Sequence, residues 1–310
     1  MKNSFLLPIT AIHLLVLFSC LFVQLALKAQ DSSRVKRTFQ PQTIVYKQDT
    51  LVFDKPRLWN NIKAVPRDIL DMAKYPFQKD HWIALSGIAV TSVILIANDQ
   101  TLADIIKVKS AKIDLVPETE YKILWKPGNI RILKVPLNLN SALYQLGEGG
   151  TSLLVAGGLW AYGKIAKDYR SIHTAYDITE TFISMGVTTQ ILKRISGRES
   201  PFMATQPGGR WQPFPPFSEY QKNTSSYDAF PSGHLATMMA TVTVIASNYP
   251  EKKWIKPLGY TLIGLTGWAM VNTDVHWVGD YPLALALGYI SGKVTTLKHK
   301  KKPPVYNVSL

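Results

Sequence analysis

The chain has 310 residues and a formal net charge of +14, because 35 Lys and Arg stand against 21 Asp and Glu. Hydrophobic residues make up 46% and charged residues 18%, a balance that favours several long apolar helices over a nucleic-acid-binding module. The positive excess predicts an anionic partner, either a phosphate ester or an acidic lipid. The sequence has no zinc-finger spacing and no basic-region heptad, so no nucleic-acid partner is expected.

Residues 1–29 have the pattern of an export signal. Lys2 precedes a long apolar run, and "LKAQ" offers a cleavage site after Ala29. We therefore predict a signal peptide or an N-terminal anchor, which places the protein in the bacterial cell envelope. The one cysteine, Cys20, lies inside this segment, so a cleaved chain has no disulfide, thiol nucleophile or cysteine-bound metal.

Residues 30–80 are polar and contain several prolines. They predict an irregular N-terminal extension, which contains a hairpin in "TIVYKQDTLVF" or a surface helix around "RDILDMAKY". No catalytic pattern is found in this segment.

The rest of the chain predicts an all-α fold. Long apolar segments, separated by glycine, proline and basic turns, indicate six helices over residues 82–97, 142–163, 175–193, 233–249, 256–274 and 281–297. These helices form a predicted domain over 81–297, and a basic C-terminal tail follows over 298–310.

The six helices are expected to form a membrane-embedded bundle, although several have only about 15 to 20 residues, close to the minimum for a crossing. Basic segments such as "KIAKDYR" and "KHKKKPP" lie at one set of helix ends. The positive-inside rule places those ends in the cytoplasm and the opposite ends in the periplasm. Six crossings that end in the cytoplasm require the chain to start in the cytoplasm, whereas a cleaved signal peptide would place residue 30 outside. Either the leader stays uncleaved, or one segment (82–97 is the candidate) does not span, or the bundle is a soluble periplasmic one.

The stretch "YDAFPSGHLATMMATVTVIASNY" places polar residues at the start of an apolar helix. Pro231 suits the first helical position, and Ser232 and Gly233 follow in the first turn, where free N–H groups bind phosphate well. Glycine lets a ligand approach the backbone, and His234 stands beside it as a proton donor. Taken alone, a histidine at a helix start is most often structural.

Two further segments carry candidate catalytic residues. "TDVHWVGDYP" places His276 and Asp280 one helical turn apart, so the carboxylate can fix the imidazole tautomer of a nucleophile or base. "LKRISGRESPF" places Lys193, Arg194 and Arg198 at the end of the third helix. Taken alone, these patterns are also typical of a helix-end ion pair and a basic collar.

In this order the three segments resemble the type 2 phosphatidic acid phosphatase (PAP2) superfamily, which includes the vanadium haloperoxidases. The motifs of that family are Lys-x6-Arg-Pro, Pro-Ser-Gly-His and Ser-Arg-x5-His-x3-Asp. The second motif matches fully over 231–234, the third matches at His276 and Asp280, and the first matches at Lys193 and Pro201. The resemblance covers about residues 140 to 297 and implies a six-helix bundle of the PAP2 type.

Two motif arginines are replaced in this chain. Ser200 stands at the arginine position of the first motif, and Ala269 and Met270 replace the Ser-Arg pair of the third. Arg198 is the nearest guanidinium to the first position, and Arg210, in the loop before "PSGH", is a candidate to compensate for the second. Each lost charge-assisted contact costs roughly 1.5–3 kcal/mol.

The resemblance implies a phosphatase that needs no metal or other cofactor. His276 would attack phosphorus to form a phosphohistidine, Asp280 would orient it, and His234 would protonate the leaving oxygen. The phosphate oxygens would be held by Lys193, Arg198, Ser232 and the Gly233 backbone.

The expected substrate is a phosphomonoester or diphosphate of a lipid or isoprenoid, with a small soluble phosphoester as the alternative. Because of Ser200 and Met270, a catalytically degenerate envelope scaffold or binding protein is a second hypothesis. A vanadium-dependent haloperoxidase is a third, which the lost arginines disfavour. The other histidines show no partner spacing and are interpreted as structural or surface residues: His13, His81, His173 and His299.

Overall fold

The computed structural model describes residues 38–125, 128 and 133–301. The predicted signal peptide or anchor over 1–29, with Cys20 and His13, lies outside the described residues, as does the tail from 302 onward. The described chain is mostly helical, with ten α-helices and two small antiparallel sheets. The expected all-α character is confirmed in the main. One sheet contains the hairpin that was an alternative for residues 30–80, and the other, within residues 121–136, was not expected.

The segment predicted as an irregular extension is largely regular. Strands β1 (Gln42–Tyr46) and β2 (Asp49–Phe53) form the expected hairpin, and β5 (Lys300–Lys301) adds to the β2 edge. Helix α1 (Leu58–Lys74) follows the hairpin. The tail therefore begins inside the fold, because its first residues close this sheet.

Helix α1 packs against the bundle through one face. Val65 and Met72 are seven residues apart, two turns of helix, and both are buried. The same face buries Asn61 and Asp68, which is unusual for polar side chains unless they have partners. Asn61 donates to the carboxylate of Glu180 at 2.6 Å, so a polar contact also fixes this helix.

The six predicted helices are present, one of them as two pieces. They are α2 (Trp82–Ala97), α4 (Leu139–Leu146) with α5 (Gly149–Ala166), α6 (Tyr169–Ser196), α8 (Gly233–Asn248), α9 (Ile255–Asn272) and α10 (Tyr281–Thr296). The predicted helix 142–163 is wrong in being continuous, because α4 ends at Leu146 and α5 starts at Gly149. Besides β5, four elements were not predicted: α3 (Asp99–Lys112), β3 (Tyr121–Trp125), β4 (Leu133–Pro136) and α7 (Phe217–Lys222).

Helix α8 lies at the centre of the bundle and contacts α6, α9 and α10. Glycines bring α10 close to it: a Cβ at Gly288 would lie 2.3 Å from the Ala236 carbonyl oxygen, and one at Gly292 would lie 3.0 Å from that of Ala240. Larger residues would force the two helices apart. This close packing holds the starts of α8 and α10 together, and both starts carry motif residues.

Within the described residues, one helical stretch, Lys79–Ala97, is long and apolar enough to cross a membrane. None of its apolar window is buried inside the protein, and Ile83 is 89% exposed. Residues 82–97, the candidate segment not to cross the membrane, thus lie in the stretch that meets the criterion of length and composition. Embedding of the whole bundle remains a prediction.

Candidate active site

The "PSGH" segment forms the start of α8. Ser232 is the N-cap, and its hydroxyl accepts a hydrogen bond from the Leu235 N–H at 3.4 Å. The helix begins at Gly233, so Pro231 precedes the cap and does not occupy the expected first helical position. The N–H groups of the first turn have no intrahelical acceptor, which makes this helix end suitable for an anion.

The imidazoles of His234 and His276 face each other. Their ring centroids are 5.6 Å apart and the rings are nearly perpendicular, at 75°. His276 is 3% exposed, in the loop between α9 and α10, whereas His234 keeps part of its surface accessible. The separation allows both rings to contact one tetrahedral oxyanion.

Asp280 lies behind His276. Its Oδ2 lies 3.3 Å from Nδ1 of His276 and accepts the Trp277 backbone N–H at 2.8 Å. The Asp280 carbonyl oxygen accepts the Ser232 N–H at 3.1 Å, which connects the two motif segments directly. A neutral His276 that donates from Nδ1 to this carboxylate keeps a lone pair on Nε2, the arrangement that a nucleophile needs.

Lys193, near the C-terminal end of α6, lies beside the start of α8. A Cβ built on Gly233 would be 3.9 Å from Lys193 Nζ. The ammonium donates to the Asp228 carbonyl oxygen at 2.6 Å and lies 3.3 Å from the Asp228 carboxylate. Asp228 was not predicted as a site residue, although it stands three residues before Pro231 in the same stretch.

Arg198 does not occupy the position expected for a phosphate ligand. Its guanidinium is fully buried and donates to Asp280 Oδ1 at 2.6 Å, Asp99 Oδ2 at 2.6 Å and the Gly208 carbonyl at 2.7 Å. Two carboxylates therefore engage the group that was expected to hold phosphate. Asp99, at the start of α3, also accepts the Gly279 N–H at 2.7 Å, so it supports the turn that carries Asp280.

The other substituted positions supply no cation. Ser200 and Met270 are both buried, and Met270 belongs to the main hydrophobic cluster. Arg210, expected to compensate, is half-exposed, and its Nε lies 3.7 Å from the Glu199 carboxylate. Among the motif positions in the described residues, Lys193 is therefore the one cation next to the paired histidines.

The electrostatic environment keeps both histidines neutral at neutral pH. Burial lowers the pKa of His276 to about 3, with Lys193 acting in the same direction and Asp228 opposing it. Burial, His276, Lys193 and Lys134 hold the pKa of His234 well below its usual value. Burial raises the pKa of Asp280 to about 6 while Arg198 lowers it, so the carboxylate is ionised at pH 7.

A second wall of the site comes from α4 and the β3–β4 hairpin, neither of which the motifs indicate. The ring of Tyr144 lies 5.1 Å from that of His234, and a Cβ on Gly147 would lie 3.0 Å from the His234 Cβ. The next residue, Glu148, accepts a hydrogen bond from Lys134 Nζ at 2.5 Å. Little in the sequence indicates these wall residues. Lys134 lies between two predicted helices, and Tyr144, Gly147 and Glu148 lie inside a predicted helix.

Two histidines interpreted as isolated meet at another place in the fold. The ligand atoms of His173, Asp177 and His299 lie within 4.8 Å of one another, a spacing that a metal ion could use. Asp177 already accepts from His299 Nε2 at 2.8 Å and from the Lys298 ammonium at 2.9 Å. The lysine provides the positive charge that the carboxylate needs, so we interpret the cluster as a structural polar junction. His81 stacks on Tyr75 and donates from Nδ1 to its carbonyl oxygen at 2.8 Å, as expected for a structural residue.

Comparisons with known proteins agree with this site. A profile of the PAP2 superfamily matches residues 175–304, which include Lys193, His234, His276 and Asp280. This segment is similar to the PAP2 superfamily, in agreement with the resemblance that the three motifs carry. Lipid A 1-phosphatase of Porphyromonas gingivalis is 28% identical over 79 residues, a stretch that spans 25% of this chain and 18% of the relative. No solved structure matches the chain.

Proposed function

We propose that the protein is a phosphatase of the acid phosphatase type that transfers a phosphoryl group to His276 and then to water. The observation that carries the proposal is the pair of facing imidazoles, 5.6 Å apart, with Asp280 behind one ring. The position of Lys193 beside the start of α8 supports it, because phosphoryl transfer depends on positioned positive charge and N–H donors.

The proposed reaction has two steps. Binding of the anionic phosphate beside His234 favours the charged imidazole, so His234 takes up a proton as the substrate binds. Nε2 of His276 attacks phosphorus, the P–O bond to the leaving group breaks, and the His234 imidazolium gives that proton to the departing oxygen. A water molecule then attacks phosphorus, His234 takes its proton, the P–N bond breaks, and inorganic phosphate leaves. Lys193 and the first-turn N–H groups at Gly233 would stabilise the charge on the phosphate oxygens. In this proposal these fixed groups take the place of the metal ion that stabilises such charge in metal-dependent phosphatases.

We further propose that the substrate is a phosphate or diphosphate on a lipid. The name of the relative, lipid A 1-phosphatase, supports this class of substrate. The exposed apolar surface of α2 supports a membrane location, because a soluble protein rarely leaves so large an apolar helix face uncovered. The site would face the periplasm, on the side opposite the basic helix ends.

The test is release of inorganic phosphate by the purified full-length chain from an aryl phosphate and from a lipid phosphate in mixed micelles, with a chelator present. We expect turnover by the wild type and a loss of about 10³-fold or more in His276→Ala, because the nucleophile is removed. His81→Ala is the matched control, since that ring lies outside the site, and it should keep wild-type activity.

A non-catalytic binding or scaffold protein is the second candidate. The buried Met270 and Ser200 favour it, because neither supplies a charge to a phosphate. This candidate predicts no phosphate release from any ester by the wild type. Turnover that persists unchanged in His276→Ala would reject the proposed mechanism without favouring the scaffold.

A further inference from the structure

The proposed phosphate site contains fewer cations than its chemistry demands. Arg198 is committed to two carboxylates, and the half-exposed Arg210 is paired with the buried Glu199, so Lys193 remains as the motif cation. A phosphomonoester carries up to two negative charges, and one ammonium that also holds Asp228 does not balance them. The wall around His234 therefore needs a second positive group.

Lys134 on β4 lies in that wall. Its side chain is only 19% exposed, its ammonium donates to Glu148 Oε1 at 2.5 Å, and it lies 3.9 Å above the Tyr121 ring. The backbone of Lys134 is tied as well, since its carbonyl accepts from Gln145 at 3.2 Å. A lysine with this many contacts has a defined position, unlike a solvated surface lysine.

Contacts of α4 connect Lys134 to the catalytic histidine. Gly147 approaches both His234 and the tip of Met270, because a Cβ there would lie 3.0 Å from the first and 3.1 Å from the second. Glu148 follows Gly147 directly, and neighbouring Cα atoms are about 3.8 Å apart. The Lys134 ammonium is therefore attached to the wall immediately beside His234. Its positive charge contributes to the low pKa of that imidazole, which agrees with this proximity.

We infer that Lys134 is the second phosphate-binding cation of this site, and that Glu148 holds its ammonium while the site is empty. The inference rests on the proposed function and adds a residue to it. On substrate binding the ammonium would exchange part of its contact with Glu148 for a phosphate oxygen. Without Lys134, the Glu148 carboxylate would stand uncompensated beside the anion and would repel it.

The experiment measures the dissociation constant of inorganic phosphate for the full chain by phosphorus NMR titration, which needs no turnover. We expect Lys134→Ala to weaken binding roughly 10-fold or more, the size of one lost charge-assisted contact. Lys134→Arg should restore most of the affinity. Glu148→Gln should bind phosphate at least as tightly as the wild type, because it removes the repelling charge and releases the ammonium.

Lys122→Ala is the matched control, because Lys122 is exposed on the other strand of the same hairpin. It should bind phosphate as the wild type does. A second readout follows the His234 ring by proton NMR: loss of Lys134 should raise its pKa, while Lys193 and His276 still hold it below the usual value. Loss of packing alone would not produce that shift together with rescue by arginine.

Wild-type affinity in Lys134→Ala, or an equal loss in Lys122→Ala, would overturn the inference. Failure of the proposed function gives a different result, namely phosphate binding that depends on Lys134 without hydrolysis of any ester. If the wild type binds no phosphate, both the inference and the proposed function are rejected.

Discussion

The Arg198 guanidinium joins three parts of the chain that are distant in sequence. It contacts Asp99 at the start of α3, Asp280 at the start of α10 and the Gly208 carbonyl in the segment between α6 and α7. Both carboxylates have no exposed surface, so each needs a positive partner to remain ionised. Arg198 thus fixes the carboxylate next to His276, and in the proposed reaction it would be a positioning residue.

Removal of Arg198 is predicted to reduce stability more than it reduces phosphate affinity. Arg198→Ala leaves two buried carboxylates unpaired, and loss of one partner from a buried pair costs about 3–5 kcal/mol. The free energy of unfolding, measured by denaturant titration, should fall by about this amount, with or without phosphate. Arg67→Ala is the control, since its side chain is 84% exposed and its ion pair should contribute less than about 0.5 kcal/mol.

Adding Asp99→Asn to Arg198→Ala should recover part of the loss, because one unpaired charge is removed. A variant of normal stability that fails to bind phosphate would instead assign Arg198 to the phosphate site, the role that its position in the first motif suggested.

The two histidines proposed to be catalytic were predictable from sequence together with Asp280, whereas the supporting residues Asp99 and Asp228 were not. His234, His276 and Asp280 occur in short patterns whose spacing carries chemistry. Asp99 has no such pattern, and it reaches Arg198 only through folding of α3 against the turn before α10. The sequence does not show whether the Arg198 guanidinium binds a phosphate or a carboxylate of the protein. Only the structure shows which of these two groups it faces.

At the level of elements, the apolar pattern identified the helices and missed their interruptions. The helices α8, α9 and α10 start and end within two residues of the prediction. The predicted helix 142–163 breaks at Gly147 and Glu148, and this break forms the wall beside His234. The β3–β4 hairpin was missed because its lysines alternate poorly with apolar residues, although it supplies Lys134.

The exposed apolar face of α2 leads us to predict that this helix, considered alone, lies in the membrane. In a Cys20→Ser background, Val90→Cys on α2 should be protected from a water-soluble maleimide in intact membranes and should react after denaturation. Val108→Cys on α3 is the matched control, because the two valines are similarly exposed in the protein, 58% and 57%. The control should react in intact membranes. Equal and rapid labelling of both cysteines would contradict a membrane-spanning α2.

At the scale of the whole molecule, the two ends of the bundle differ in chemistry. The proposed phosphate site lies where α6 ends and where α8 and α10 begin, whereas Asp177 lies near the start of α6 and Lys298 follows α10. Although burial alone would raise it, His299 and Lys298 hold the pKa of Asp177 below its usual value. We interpret this second end as the junction that attaches α1 and the small sheet to the bundle.

Formation of a phosphoryl bond on His276 is the central claim, and the most direct measurement is to trap it. The full chain is mixed with a substrate whose phosphate is radiolabelled and quenched in alkali, in which phosphohistidine survives, and the labelled peptide is identified by mass spectrometry. We predict label on the peptide that contains His276 and none in His276→Ala. Label on His234 or Asp228, or steady turnover with no labelled protein, would contradict the account.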